Sequence, residues 1–223
     1  MKATIKGVIF DLDGTLIDSK EDLADATNRT LAEEGFPVWP VESYGLFLGR
    51  GIRNLVWNAL PENGRDEATV ERCREKILAD YGKNYAVKTR LYEGIAPMLS
   101  ELERQGVKLG LLSNKPDSIT RKIMDGLFSA WSFDCVLGAG TAFPLKPEPA
   151  AVYHICRTLG LKAQEVLLVG DSEVDMQTAS NAGLRAVGVS WGFRTREELV
   201  SGGAWKIVDR AEEINEIVKE GQG

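Results

Sequence analysis

The chain has 223 residues, 43% of them hydrophobic, and carries 33 acidic against 27 basic side chains for a net charge of −6. That length buries a good core, as one domain or as a domain with a sizeable insertion, and the acidic balance without any basic run excludes nucleic acid as a default partner. Cys73, Cys135 and Cys156 lie far apart in no CxxC pair, so neither a zinc site nor a disulfide framework is suggested. No run is long enough to span a bilayer and no apolar segment follows a basic start, which makes a cytoplasmic location the default expectation.

The first element is the apolar run Val8-Ile9-Phe10, which stops at Asp11-Leu12-Asp13-Gly14 and reads as a buried strand with Asp11 at its end and Asp13 in the loop beyond. Two carboxylates this close both stay ionised only if a cation or firm hydrogen bonds compensate; otherwise one takes up a proton. The pattern then turns helical until about residue 86. Ser19 and Asp22 have the form of a capping box ahead of Leu23, Ala26, Thr30 and Leu31, and Gly35, Pro37 and Pro40 end that helix. Further helices are predicted over Val41 to Leu48, from Ile52 to Leu60, and through Val70, Cys73, Ile77 and Tyr81 on one face. This block reads as a separate α-helical cap, residues 16–89, inserted into a core made of residues 1–15 and 90–223.

Ala86 to Glu93 reads as a linker, and Ile95, Met98, Leu99 and Leu102 mark a helix closed at Gly106. Strands are then expected at Val107 to Leu112, Cys135 to Leu137, Val166 to Val169, Ala186 to Val189 and Lys206 to Val208. Helices alternate with them near 117–127, 148–159, 175–182, 195–201 and 211–219. Such alternation predicts an α/β fold, a doubly wound, Rossmann-like parallel sheet with helices on both faces. Ligands of open parallel sheets bind beyond the carboxyl ends of the strands. The residues there are polar: Asp11-Leu12-Asp13, Ser113-Asn114-Lys115, and Gly170-Asp171-Ser172-Glu173-Val174-Asp175. Phe143-Pro144-Leu145-Lys146-Pro147-Glu148-Pro149 adds one lysine between prolines.

In order and rough spacing, these four stretches resemble the four motifs of the haloacid dehalogenase superfamily, and the resemblance covers nearly the whole chain. It implies a phosphatase in which Asp11 is the nucleophile that forms an aspartyl-phosphate and Asp13 the general acid and base. It further implies that Ser113, Asn114 and Lys146 hold the phosphoryl group, with the backbone near Leu12 and Asn114 completing the cradle. Magnesium is the implied cofactor, held by Asp11, the carbonyl of Asp13 and Asp171, with Asp175 orienting metal-bound water. Asp13 separates this branch from the dehalogenases and the P-type ATPases, which carry no aspartate at that position. Beta-phosphoglucomutases share Asp13 and the cap, so a mutase is the runner-up. A non-catalytic phospho-accepting or binding module is a third reading, although receiver domains are much shorter.

The stretch from Gly183 to Gly192 looks like the phosphoglycolate phosphatase branch, whose members act on small phosphomonoesters. In the cap, Gly49-Arg50-Gly51-Ile52-Arg53 places two cations on a turn able to fold over a core site. Arg50, with Arg53, is then expected to pair with a substrate carboxylate such as that of phosphoglycolate. Gly188-Val189-Ser190-Trp191-Gly192 fits the esterase string GxSxG, but the required histidine must follow the serine, and the only histidine, His154, precedes it. Ser190 therefore reads as a loop residue beside the site, and His154 as structural or solvent-facing.

Overall fold

The computed structural model describes residues 4–220; positions 1–3 and 221–223 of the expected core segments, 1–15 and 90–223, lie outside the described residues. In chain order the elements are β1 (Gly7–Phe10), β2 (Ile17–Asp18), α1 (Lys20–Glu33), α2 (Tyr44–Phe47), α3 (Ile52–Ala59), α4 (Glu67–Asn84), β3 (Arg90–Leu91) and α5 (Ile95–Arg104). They continue with β4 (Lys108–Pro116), α6 (Asp117–Leu127), β5 (Cys135–Ala139), α7 (Ala150–Leu159), β6 (Val166–Gly170), α8 (Glu173–Ala182), β7 (Arg185–Val189), α9 (Arg196–Ser201), β8 (Lys206–Val208) and α10 (Glu212–Glu220).

Six strands form one sheet in the order β5-β4-β1-β6-β7-β8, and each neighbouring pair runs parallel. β1 is therefore central, buried on both faces, and its period-two alternation divides the core. Val8 and Phe10 join the cluster containing Met98, Leu99, Ile123 and Ile217 from α5, α6 and α10. Ile9 points the other way, into the cluster of Val152, Ile155 and Ala179 from α7 and α8. The chain builds outward from β1 to β5, then returns to β6 and builds the other way. The order thus reverses between β1 and β6, and a crevice opens at their carboxyl ends.

Two boundaries differ from the expectation, each for a tertiary reason. The segment 86–93, read as a linker, contains β3, which pairs antiparallel with β2 through Ile17↔Leu91 and Asp18↔Arg90. The two crossings between the sheet and the helices α1–α4 are thereby joined to each other. Ser19 and Asp22 do not form a capping box: Ser19 makes no side-chain cap and donates its hydroxyl to Asp13. Asp22, buried, accepts from the Lys88 N–H, the Thr89 N–H at 2.8 Å and the Thr89 hydroxyl at 2.7 Å. Both side chains serve the crossing instead of the helix end.

Candidate active site

Asp11 follows the last residue of β1 and donates its N–H to Val169 O of β6 at 2.9 Å, which pins its side chain at the reversal point of the sheet. Asp13 lies two residues on, in a tight turn where Gly14 N–H reaches Ile17 O at 2.9 Å. Gly14 has φ +84°, and a Cβ there would sit 2.2 Å from Asp171 Oδ2, so only glycine lets this turn pass the third acid.

Asp171 stands just past β6 and is held by the Phe193 N–H at 2.7 Å and more loosely by the Thr15 hydroxyl at 3.4 Å. Asp175, expected either to orient metal-bound water or to favour the first helical turn, does its local work through the capping box of α8. Its Oδ2 accepts from the Ser172 N–H and hydroxyl, while its Oδ1 takes the ammonium of Lys146 at 2.7 Å. Lys146 Nζ also lies 2.7 Å from Asp11 Oδ1, and only 3% of its side chain is exposed.

Oxygens of Asp11, Asp171 and Asp175 lie within 4.8 Å of one another, and all three residues are buried. Burial pushes Asp11 up to about 7; Lys146 opposes this, and Asp175 and Asp13 reinforce it. Asp171 is raised well above its ordinary value, first by burial and then by the charges of Asp11 and Asp175. Burial disfavours the charge on Lys146, but Asp11 and Asp175 outweigh it and hold the ammonium above its usual range. Hard oxygen donors in mutual repulsion are what a divalent cation relieves, so the residues present fit a metal of that class. The Asp175 oxygens are already engaged by Lys146 and Ser172, which favours an orienting role for it.

Ser113, Asn114 and Lys115 sit inside β4, not after it. The pairing with β5 is irregular between Leu112 and Pro116 and resumes at Pro116↔Ala139. Ser113 Oγ accepts from the Lys115 N–H. The Asn114 side chain is committed to scaffolding: its Oδ1 accepts from the Lys146 N–H at 2.9 Å, and its amide reaches Lys146 O and Gly49 O. It thus sets the backbone that carries Lys146 and touches the loop between α2 and α3.

Lys115 is the site residue that the sequence motifs did not assign. Its Nζ lies 2.7 and 2.9 Å from the two oxygens of Asp13, its side chain is 3% exposed, and the Tyr81 ring of α4 lies 4.7 Å away. The available signal was a lysine directly after Ser113-Asn114 in a buried strand. Above these residues is a small cavity of about 50 Å³, lined by Asp11, Asp13, Ser113, Asn114 and Lys115 below and by Leu48, Ile52, Leu55, Leu78 and Tyr81 above. Gly51, with φ +84°, lines it and passes close to Asn114 O, where a Cβ would stand at 3.3 Å. Arg50 faces elsewhere and pairs with Glu173 of α8 at 2.9 Å, and Arg53 pairs with Glu67. Ser190 donates to Asp209 at 2.6 Å and His154 packs on Phe143, which leaves no serine–histidine pair.

A doubly wound sheet whose reversal point holds two aspartates two residues apart, a buried lysine and a third acid sets a cluster of hard oxygen donors beside a fixed positive charge. Residues 8–189 match the family model described as haloacid dehalogenase-like hydrolase. The chain is 35% identical over 192 residues to the phosphoglycolate phosphatase of Pseudomonas syringae pv. tomato, covering 84% of this chain and 70% of that protein. It is 34% identical over 210 residues to the phosphoglycolate phosphatase of Rhodospirillum rubrum, covering 92% and 87%. The fold superposes at TM-score 0.91 on a crystal structure of a protein from Lactobacillus delbrueckii subsp. bulgaricus, 31% identical, over 96% of this chain and 98% of that one. The chain belongs to the haloacid dehalogenase-like hydrolase family. Within it, the chain is a phosphatase of the phosphoglycolate phosphatase-like branch.

Proposed function

We propose that the chain is a magnesium-dependent phosphatase of a small, acidic phosphomonoester such as phosphoglycolate, acting in the cytoplasm through an aspartyl-phosphate on Asp11. The observation that carries this reading is the Asp11–Lys146–Asp175 ion-pair chain beside Asp171, under a small cavity with Asp13 at its wall. Relatives named phosphoglycolate phosphatase support the substrate class.

In this reading a carboxylate oxygen of Asp11 attacks phosphorus in line, and the ester oxygen departs with a proton from Asp13. Asp13 then takes a proton from the water that attacks phosphorus and releases phosphate. Lys146 and Ser113 hold the phosphoryl oxygens, while Asn114 fixes the Lys146 backbone. Asp11, Asp171 and the Asp13 carbonyl would hold the magnesium, which would supply positive charge to screen the two anions from each other.

Residues 16–89 serve as the cap over a core of 1–15 and 90–223, hinged at the β2–β3 pair. The cavity wall they provide is apolar, with Leu48, Ile52, Leu55 and Leu78, so a sugar would leave its hydroxyls unpaired there. That weighs against the mutase reading. The test is single-turnover quenching with phosphoglycolate and magnesium followed by mass analysis. One phosphoryl group on the peptide containing Asp11 is expected, and none in Asp11→Asn.

A further inference from the structure

The phosphoryl group is provided for by Lys146, Ser113 and the acid cluster, yet the buried cation that lines the cavity is a different one. Lys115 is the one lysine or arginine among the residues that line it, and Asp13 meets its charge from one side. Asp13 accepts from at most two of its three N–H bonds, and Ser19 donates to the same carboxylate from the other strand crossing. Tyr81 descends from α4, is 1% exposed, and its buried hydroxyl has no close hydrogen-bond partner and leans on the Lys115 ammonium. A core cation and a helical hydroxyl thus converge on one end of a cavity that is otherwise apolar on its upper side.

We propose that Lys115, with the Tyr81 hydroxyl beside it, is the subsite that binds a carboxylate on the leaving group and so selects short acidic phosphomonoesters. The proposal rests on the reading of Asp11 and Asp13 as the reacting pair, because that reading fixes where the ester oxygen lies. An oxygen delivered to Asp13 has Lys115 Nζ within one further hydrogen bond. A carboxylate one methylene beyond it therefore meets the ammonium without reaching out of the cavity. Lys115 would then touch both Asp13 and substrate, whereas Arg50, paired with Glu173, lies outside the cavity wall.

The experiment compares kcat/KM for 2-phosphoglycolate with that for 2-hydroxyethyl phosphate, an ester of similar size whose leaving group is neutral, with the 223-residue chain and magnesium present. Wild type is expected to prefer the acid. In Lys115→Met both rates fall, but the ratio of acidic to hydroxyethyl ester falls by a further ~10- to 100-fold, the range for losing a hydrogen bond to a charged group. In Tyr81→Phe, which leaves the ion pair in place, the ratio falls by about fivefold or more, mainly through KM. An unmoved ratio in Lys115→Met overturns the assignment and leaves Lys115 as a support for Asp13 alone. If Lys115→Met does not fold, the Tyr81→Phe ratio decides in the same way. A wild type that turns over both esters without preference overturns the acidic-substrate reading itself, a result distinct from a preference that survives the substitutions.

Discussion

The ammonium of Lys146 lies 2.7 Å from Asp11 Oδ1, so the cation that the sequence places in a proline-bounded loop reaches the residue that ends the central strand. The contact needs Asn114, whose side chain holds the Lys146 backbone on both sides of the peptide. Carboxylate, cation and scaffold therefore come from three segments that meet only when β1, β4 and the loop after β5 are assembled.

Removing the charge partner should be costly. Lys146→Met leaves the carboxylates of Asp11 and Asp175 facing each other in a buried site, and breaking a buried pair costs about 3–5 kcal/mol. Chemical denaturation in chelator should show a loss of that order, with partial recovery when magnesium is added. Turnover should fall at least about 10³-fold, since both the phosphoryl cation and the alignment of Asp11 are gone. A variant as stable as wild type in chelator would contradict the pairing.

Asp11 itself predicts a pH dependence. Its ordinary value is 3.8 and the folded, metal-free protein raises it to about 7, chiefly through burial. Between those values the folded state holds a proton that the unfolded chain has released. The stabilisation is complete below 3.8 and is lost as pH rises through about 7. In chelator, Tm should therefore fall from about pH 4 to about pH 7 and level off above it, while the gain in Tm on adding magnesium grows over the same interval. A magnesium increment independent of pH would sink the account.

The sheet was legible because its strands are short apolar runs that stop at polar residues, and Asp11, Asp171 and Lys146 were legible because each stands just past such a run or in a proline-bounded loop. What stayed hidden depends on partners distant in sequence. Ser19 and Asp22 carry the spacing of a helix cap, yet Asp13 and the Thr89 backbone capture them. Lys115 follows two motif residues, and only the fold shows that it turns back to Asp13. Tyr81 reads as one more apolar-face residue of α4, and its helical spacing carries no trace of a buried hydroxyl that leans on Lys115.

Asp22 makes the crossing between helices and sheet testable. Asp22→Asn keeps the size but leaves one carbonyl where a carboxylate now accepts from the Lys88 and Thr89 N–H groups and the Thr89 hydroxyl. A loss of about 1–3 kcal/mol is expected in urea unfolding. Hydrogen exchange at residues 88–91 should rise before that at β1. Equal protection in both proteins would remove Asp22 from the hinge.

The last prediction separates two arginines that bind the same glutamate. Arg50 reaches Glu173 at 2.9 Å with its side chain 52% exposed, and an exposed pair of this kind is worth only about 0–1 kcal/mol. Arg194 also reaches Glu173, at 3.3 Å, but its side chain is 8% exposed and donates to the backbone carbonyls of Gly45 and Leu48. Those carbonyls lie in α2 and just after it, directly ahead of the loop whose Gly49 and Gly51 line the cavity, so Arg194 ties the start of that loop to the sheet far more firmly than Arg50 does. Arg50→Ala should then lower kcat/KM less than about tenfold, and equally for 2-phosphoglycolate and 2-hydroxyethyl phosphate. Arg194→Ala leaves those two carbonyls without their donor and should lower kcat/KM for both esters by about 10- to 100-fold. A selective loss on the acidic ester in Arg50→Ala would show that this arginine swings into the cavity and reads the carboxylate, which its pairing with Glu173 opposes.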